Sequence, residues 1–227
     1  MEKMPYRPEL DLQPVTATAT AASRTATTEA VSTDWRESLP VLVGRTVALR
    51  EMRTTDAPSL FALLTTEEVA RFISPPPSSV EGFERFIQWA ARQRAVGSYV
   101  CFAVTLAESD TAIGIFQIRS TEPGFGTAEW GFALGSPFWG TGVFQEGAEL
   151  VIEFAFDIIG VHRLEARAAI RNSRGNGALR KIGATQEGIL RKSFLRNGAY
   201  LDQALWTLLD EDWREKGLCG GKTMIMH

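Results

Sequence analysis

Little in this chain can do metal or redox chemistry. Its 227 residues include two cysteines, Cys101 and Cys219, and two histidines, His162 and His227. Two cysteines are too few for a disulfide framework or a thiolate zinc site, and neither an HExxH nor a Cys/His spacing occurs. No metal is therefore expected, and His162, at the start of a strand, reads as structural. No run of about 18 apolar residues exists, so no membrane-spanning helix is expected. The opening MEKMPYRPEL lacks a basic start followed by an apolar stretch, which argues against a secretory signal. A reducing cytoplasm is the expected compartment. The net charge of −3 gives no general basic bias, so a nucleic-acid partner is not expected. Lys and Arg do gather between Arg171 and Lys192, which leaves room for a local basic pocket.

Hydrophobic residues make up 44% of the chain and charged residues 22%, the balance of a globular domain. Residues 13–33 are Thr, Ala and Ser with almost nothing large to bury, so the segment 1–38 reads as a disordered extension. Residues 39–214 read as one domain and 215–227 as a flexible tail. Within the domain RTVALREM alternates like a strand, and Asp56-Ala-Pro opens a helix over SLFALLTTEEVARFI. After the break at 75–79, VEGFERFIQWAARQRA carries Phe83, Phe86, Ile87 and Ala90 on one face. Three strands follow, SYVCFAVTL, TAIGIFQIRS and GTAEWGFALG, joined by hairpin-length breaks and so antiparallel. RLEARAAI is a further strand, NSRGNGALRKIG a short helix, and ATQEGILRKSF and QALWTLLDEDW complete the sheet. The order describes an α+β domain.

Between the fourth and fifth strands lies SPFWGTGVFQEGAELVIEFAF, residues 136–156. From about 143 to 159 the apolar stripe Phe144, Ala148, Val151, Ala155 and Ile159 faces the sheet, while Glu146, Glu149, Glu153 and Asp157 face solvent. At the helix start, free backbone N–H groups and the positive end of the macrodipole point into the turn. Glycines at 140 and 142 let that backbone curl around an anion. Two common phosphate loops are excluded. There is no Gly-Lys-Ser/Thr of a Walker loop. Gln145 stands where a dinucleotide fingerprint would need its third glycine, and the preceding strands are antiparallel. The site therefore calls for a pyrophosphate held by a different fold.

The strand, the WGTG turn, the long helix, the Asn-initiated helix and the closing RKIGA together resemble the GNAT acetyltransferases. The branch is similar to the Rim-type enzymes that acetylate ribosomal-protein N-termini. The resemblance spans residues 40–213 and rests on Trp139 to Phe144, matching the family's Arg/Gln-x-x-Gly-x-Gly/Ala loop, with Leu49-Arg50, Glu129-Trp130-Gly131-Phe132, Glu146 and Asn172. It implies a GNAT-like fold, a mixed, mostly antiparallel sheet of six to seven strands flanked by helices and splayed between the fourth and fifth. It implies acetyl-CoA as co-substrate. The backbone of Phe132, Ala133 and Leu134 would meet the pantetheine arm; Trp139 would open the co-substrate loop, and the amides of Gly140, Thr141, Gly142, Val143 and Phe144 would hold the pyrophosphate. Asn172 and Asn176 would face the co-substrate, and Arg174 or Arg180 its phosphates. Phe144 replaces the small last residue of the motif, but only its amide is needed, and its ring falls on the buried stripe.

The family's proton donors are missing. Leu179 stands four residues before Gly183 where many members carry Tyr, and Gly175 stands three after Asn172 where some relatives carry Ser. Glu129 is the candidate general base, acting through water. Tyr200 and Asp202 are reserve candidates for catalysis or for shaping the acceptor site, and Glu146 is expected to anchor its helix. The resemblance implies direct transfer of an acetyl group to a primary amine, a protein α-amine by analogy with the branch. A small-molecule amine (amino sugar, polyamine or amino acid) and a CoA-binding sensor without turnover are the alternatives. The acceptor loops around 66–82 and 192–203 do not disclose which. A homodimer is the working expectation.

Overall fold

A computed structural model describes residues 34–215 and the strand 224–226. The expected disordered extension therefore lies almost wholly outside the described residues. Its last part does not: Trp35 is buried, with its ring edge-on to Phe125 at 5.6 Å, so packing begins before the expected boundary at 39. A buried tryptophan removes enough apolar surface from water to fix the segment that carries it.

One sheet organises the chain. It begins with β1 (Val41–Val43) and β2 (Val47–Glu51), continues after the helices with β3 (Tyr99–Leu106), β4 (Ser109–Ser120) and β5 (Thr127–Leu134), and then takes β6 (Arg163–Ala169), β7 (Thr185–Arg196) and β8 (Ala199–Leu209). A final strand, β9 (Met224–Met226), falls in the segment read as a tail and pairs with β1. The nine strands run β7-β8-β6-β5-β4-β3-β2-β1-β9 across the sheet. The two beyond the expected number, β1 and β9, are three-residue strands too short to show a period.

Every pairing is antiparallel but one. β5 and β6 run parallel, and they are in register only at Thr127↔Arg163, Ala128↔Leu164 and Glu129↔Glu165. Beyond Glu129 the two strands part, which opens the sheet between the fourth and fifth of the expected strands. Gly135 donates to the Ile113 carbonyl on β4, so by strand alternation the backbone groups of Phe132 and Leu134 turn toward the parting.

On one face lie α1 (Ala57–Leu64), α2 (Glu67–Ala70) and α3 (Val80–Ala95). α3 covers the sequence segment expected for it and is capped by Ser79, whose hydroxyl accepts from the Gly82 amide at 3.1 Å. The expected single helix over 59–73 breaks into α1 and α2. The Thr65 hydroxyl bonds back to the Phe61 carbonyl at 2.7 Å, and Thr66 turns extended (φ −58°, ψ 143°). Two adjacent threonines favour that local bonding over continued helix. Asp56 occupies the expected cap position, but its carboxylate takes the Arg53 amide and the buried Arg50 guanidinium, each at 2.8 Å.

The other face carries α4 (Val143–Glu153), which runs on as a π-helical turn over Phe154–Ile159, and α5 (Ser173–Lys181). The end of the last expected strand is instead α6 (Asp210–Glu215), seated by buried Trp213. Two apolar layers result. Phe102, Phe116, Phe132 and Phe154 belong to the layer under α4, and Phe83, Phe86 and Tyr99 to the layer under α3. A fully buried Phe is worth about 1.5–3 kcal/mol relative to exposure, so these rings dominate the cohesion of both layers.

Candidate functional site

The site starts where β5 ends. A single 3-10 turn, Ser136–Phe138, leads to Trp139. Gly140 and Gly142 then adopt φ of 77° and 94°, in the left-handed region, and a Cβ added at either would meet nothing within 4 Å. These glycines are therefore set by backbone conformation and not by crowding, and they leave the first-turn amides of α4 open to the cleft. The Thr141 hydroxyl closes the turn by donating to the Phe138 carbonyl at 2.8 Å. Glu146 fixes the helix start: its carboxylate accepts from the Arg45 and Thr46 amides and from the Thr46 hydroxyl. That is the anchoring role expected of it, reaching back to the β1–β2 turn.

A cleft of about 510 Å³ opens at this turn and passes through the parting of the sheet. At one end it is lined by Gly140, Gly142, Gln145, Arg171, Asn172, Ser173, Arg174 and Lys181. Phe132, Leu134, Trp139 and Phe144 form its middle, and Glu68, Val69, Arg71 and Phe72 its far end. The Trp139 indole N–H donates to the Leu134 carbonyl at 3.0 Å, and the Arg174 guanidinium lies over the indole ring at 4.3 Å. The ring is thereby fixed on one side by the strand edge and covered on the other by a cation. The far end is tied down as well. Arg196, near the tip of the β7–β8 hairpin, donates to the Ala70 carbonyl of α2 at 2.7 Å, joining elements that belong to the two halves of the sheet.

The residues present fit a polyphosphorylated co-substrate. Three cations, open helix amides and a glycine turn converge at one end.

Of the residues expected at the site, Phe132, Leu134, Trp139, Gly140, Gly142, Phe144 and Asn172 line this cleft. Phe144 does so while its ring packs on Phe132 at 4.4 Å between centroids, so it is cleft wall as well as core. Asn172 caps α5, its side-chain oxygen accepting from the Gly175 amide at 2.9 Å. Other expectations need correction. Asn176 turns the other way: it donates to the Ala169 and Asn172 carbonyls and accepts from the Trp206 indole, which uses its whole amide. Arg180 lies over Trp206 at 5.7 Å and lines a separate smaller pocket, so of the two expected arginines only Arg174 stands at the turn. Ala133, paired with Ile115 on β4, packs its side chain with the α3 layer. For Thr141 and Val143 the expectation concerns their amides; the Thr141 hydroxyl closes the turn and the Val143 side chain is core.

The three catalytic candidates also stand elsewhere. Glu129 is buried below the parting, its carboxylate 2.5 Å from the Arg119 guanidinium and 3.9 Å from that of Arg167. Asp202 accepts from the Lys192 amide at 2.8 Å and so pins the bulge in β7, while Tyr200 is exposed. Leu179, where the family carries a phenol, is fully buried core. Burial pushes the Cys101 thiol up to about 12, which leaves no thiolate nucleophile there at neutral pH. Cys219 lies outside the described residues. Among the described residues no group of three or more His, Cys, Asp or Glu is placed to hold a metal, and no helix is long and apolar enough to cross a membrane.

Sequence reasoning did not single out Arg171, Lys181, Gln145, Glu68, Arg71 or Phe72. The basic run from Arg171 hinted at the first two. Glu68, Arg71 and Phe72 fall in the 66–82 segment read as an acceptor loop, but which of its side chains face the cleft is a tertiary fact.

A sheet that parts over a cation-lined cleft, with a glycine turn at the parting, defines the class: an α+β protein with a cleft of this chemistry set into its sheet. The family follows from residues 46–185, which match the acetyltransferase (GNAT) domain; the chain belongs to that family and is an acetyltransferase. It is 28% identical over 180 residues to the probable N-acetyltransferase YjcK of Bacillus subtilis (strain 168), covering 76% of this chain and 98% of that one. It is 26% identical over 168 residues to the uncharacterized N-acetyltransferase p20 of Bacillus licheniformis, covering 74% of this chain and 94% of the relative. The solved structure of Mycobacterium smegmatis RimJ in complex with CoA-disulfide shares the fold at a TM-score of 0.69 and 18% identity, over 82% of this chain and 95% of that one.

Proposed function

We propose that this protein transfers the acetyl group of acetyl-CoA directly to the α-amine of a polypeptide N-terminus. One observation carries the choice of acceptor. The hydrogen bond from Arg196 to Ala70 ties the β7–β8 hairpin to α2 beside the cleft residues Glu68, Val69 and Arg71, and in this reading the tie admits an acceptor by its end and not by its middle. The same tie suits a small amine, which the test below separates from a peptide.

In this reading the amides of the 140–144 turn, with Arg171, Arg174 and Lys181, hold the phosphates. Acetyl-CoA supplies an acyl group already activated as a thioester. The chain supplies position and field: the backbone N–H groups of Phe132 and Leu134 face the parting, where one of them polarises the acyl carbonyl. Fixing amine and acyl carbon in the same cleft is the larger contribution, because well-oriented groups gain about 7–11 kcal/mol over free encounter. No tyrosine or histidine is among the residues lining the cleft, and the leaving sulfur takes its proton without one.

The test is release of free thiol from acetyl-CoA with a panel of amines: alanyl and seryl peptides with free N-termini, the same peptides N-blocked but carrying an internal lysine, spermidine, glucosamine and free amino acids. Turnover of free-N-terminal peptides alone is expected. Preference for spermidine, glucosamine or amino acids would replace the acceptor, and CoA binding without turnover on any amine would make the protein a sensor.

A further inference from the structure

Glu129 is held by two arginines below the parting, so the proton of the acceptor ammonium needs another destination. The cleft offers one carboxylate. Among the residues that line it, Glu68 on α2 is the only acidic side chain, against four cations, Arg71, Arg171, Arg174 and Lys181. Resting on the acetyl-transfer reading, we infer that Glu68 receives the acceptor ammonium and acts as its general base.

Placement supports this. The cations other than Arg71 lie with the glycine turn, where the phosphates belong, while Glu68 lies at the opposite end with Val69 and Phe72, beyond the Phe132–Leu134 strand edge. An ammonium entering at α2 thus meets a carboxylate first and the edge of β5 next, in the order that binding, deprotonation and attack require. Arg71, which lines the same end, favours the neutral amine once the proton has moved. α2 is a steady platform for such a residue: Val69 and Ala70 are buried, and Ala70 takes the Arg196 bond.

The step balances. One ammonium proton passes to the Glu68 carboxylate. The freed nitrogen lone pair forms the N–C bond as the C–S bond breaks, and a second nitrogen proton passes to the departing sulfur, directly or through water. The products are the amide and the free thiol, and Glu68 returns its proton to solvent.

The test uses the full chain, acetyl-CoA and whichever panel amine the wild type turns over fastest. Glu68→Gln is expected to lower kcat/KM for that amine about 100-fold and to remove the acid limb of its pH profile, with acetyl-CoA affinity by calorimetry unchanged. Glu68→Asp should recover part of the rate. Glu67→Gln, one residue away and not in the cleft, should behave as wild type. Wild-type kcat/KM and an unaltered acid limb in Glu68→Gln would overturn the inference while leaving acetyl transfer intact. A pH limb lost in Glu129→Gln but kept in Glu68→Gln would overturn it in favour of Glu129. A wild type inert on every amine would overturn both the inference and the reading it rests on.

Discussion

Putting serine at position 175, where some relatives of the Rim-type branch carry one, should destabilise this protein and not equip it with a proton donor. A Cβ on Gly175 would stand 2.5 Å from the Asn172 side-chain nitrogen and 3.0 Å from its Cγ, closer than atoms tolerate. Asn172 is only 6% exposed, and its oxygen is engaged with the Gly175 amide at 2.9 Å. The side chain must therefore leave its cap. Loss of an Asn cap costs about 1 kcal/mol, and a buried amide left without partners costs about 1–3 kcal/mol. Serine returns about 0.5 kcal/mol of helix propensity over glycine. The net loss is about 2 kcal/mol, a fall in Tm of about 6 °C for a domain of this size. Calorimetry of Gly175→Ser against wild type reads it, and Asn172→Gly supplies the control. Glycine is a tolerable cap, so with the clashing amide gone the serine should fit, and the double variant should be more stable than the two single losses predict. A Gly175→Ser protein that melts at or above the wild-type temperature would refute the clash argument.

Three further outcomes are expected. Glu146→Ala strips the acceptor from the Arg45 and Thr46 amides and the Thr46 hydroxyl, and should cost about 2 kcal/mol in urea denaturation with an unchanged m-value. Trp139→Phe keeps an aromatic surface under Arg174 but loses the bond to the Leu134 carbonyl, so the KM for acetyl-CoA should rise about 5-fold, and further in Trp139→Ala, by steady-state thiol release. Glu153 on α4 is raised from 4.5 to about 7 by burial, with Asp157 and Glu149 adding to the effect. Because the folded state holds that proton more tightly, its contribution to stability is complete below about pH 4.5 and is lost as pH rises through about 7. Glu153→Gln should thus gain stability over wild type at pH 8 and little at pH 4.5, by an amount of order 1 kcal/mol after solvent screening, in denaturant titrations at the two pH values.

The fold was legible where sequence period and backbone chemistry coincide. α3 was read to the residue because its apolar face marks its nature and the break at 75–79 its start. The three central strands were read because their apolar runs and short connections leave one pairing. The α1–α2 break was not, since Thr65 and Thr66 suit a helix end only once Leu64 and Val69 have been buried by other parts of the chain. β1 and β9 carry three residues each, below any period, and their pairing is set by long-range contact.

The site divides along the same line. Its backbone part was written in the sequence: Gly140 and Gly142 announce positive φ, and an antiparallel meander before them excludes the dinucleotide fold. The side chains were harder, because one residue type serves both structure and chemistry, and only partners tell them apart. Asn172 and Asn176 are one helical turn apart, yet the first lines the cleft and the second is consumed by Ala169, Asn172 and Trp206. Arg174 and Arg180 share α5, but six residues place them on opposite sides of it, one over Trp139 and one over Trp206. Glu129 matches the family pattern in sequence while Arg119 and Arg167 hold its carboxylate in space. A motif fixes what the main chain can bind; which carboxylate meets the amine depends on where a short helix such as α2 comes to rest. That makes the Glu68 and Glu129 variants, compared in one pH series, the measurement on which the chemistry of this cleft turns.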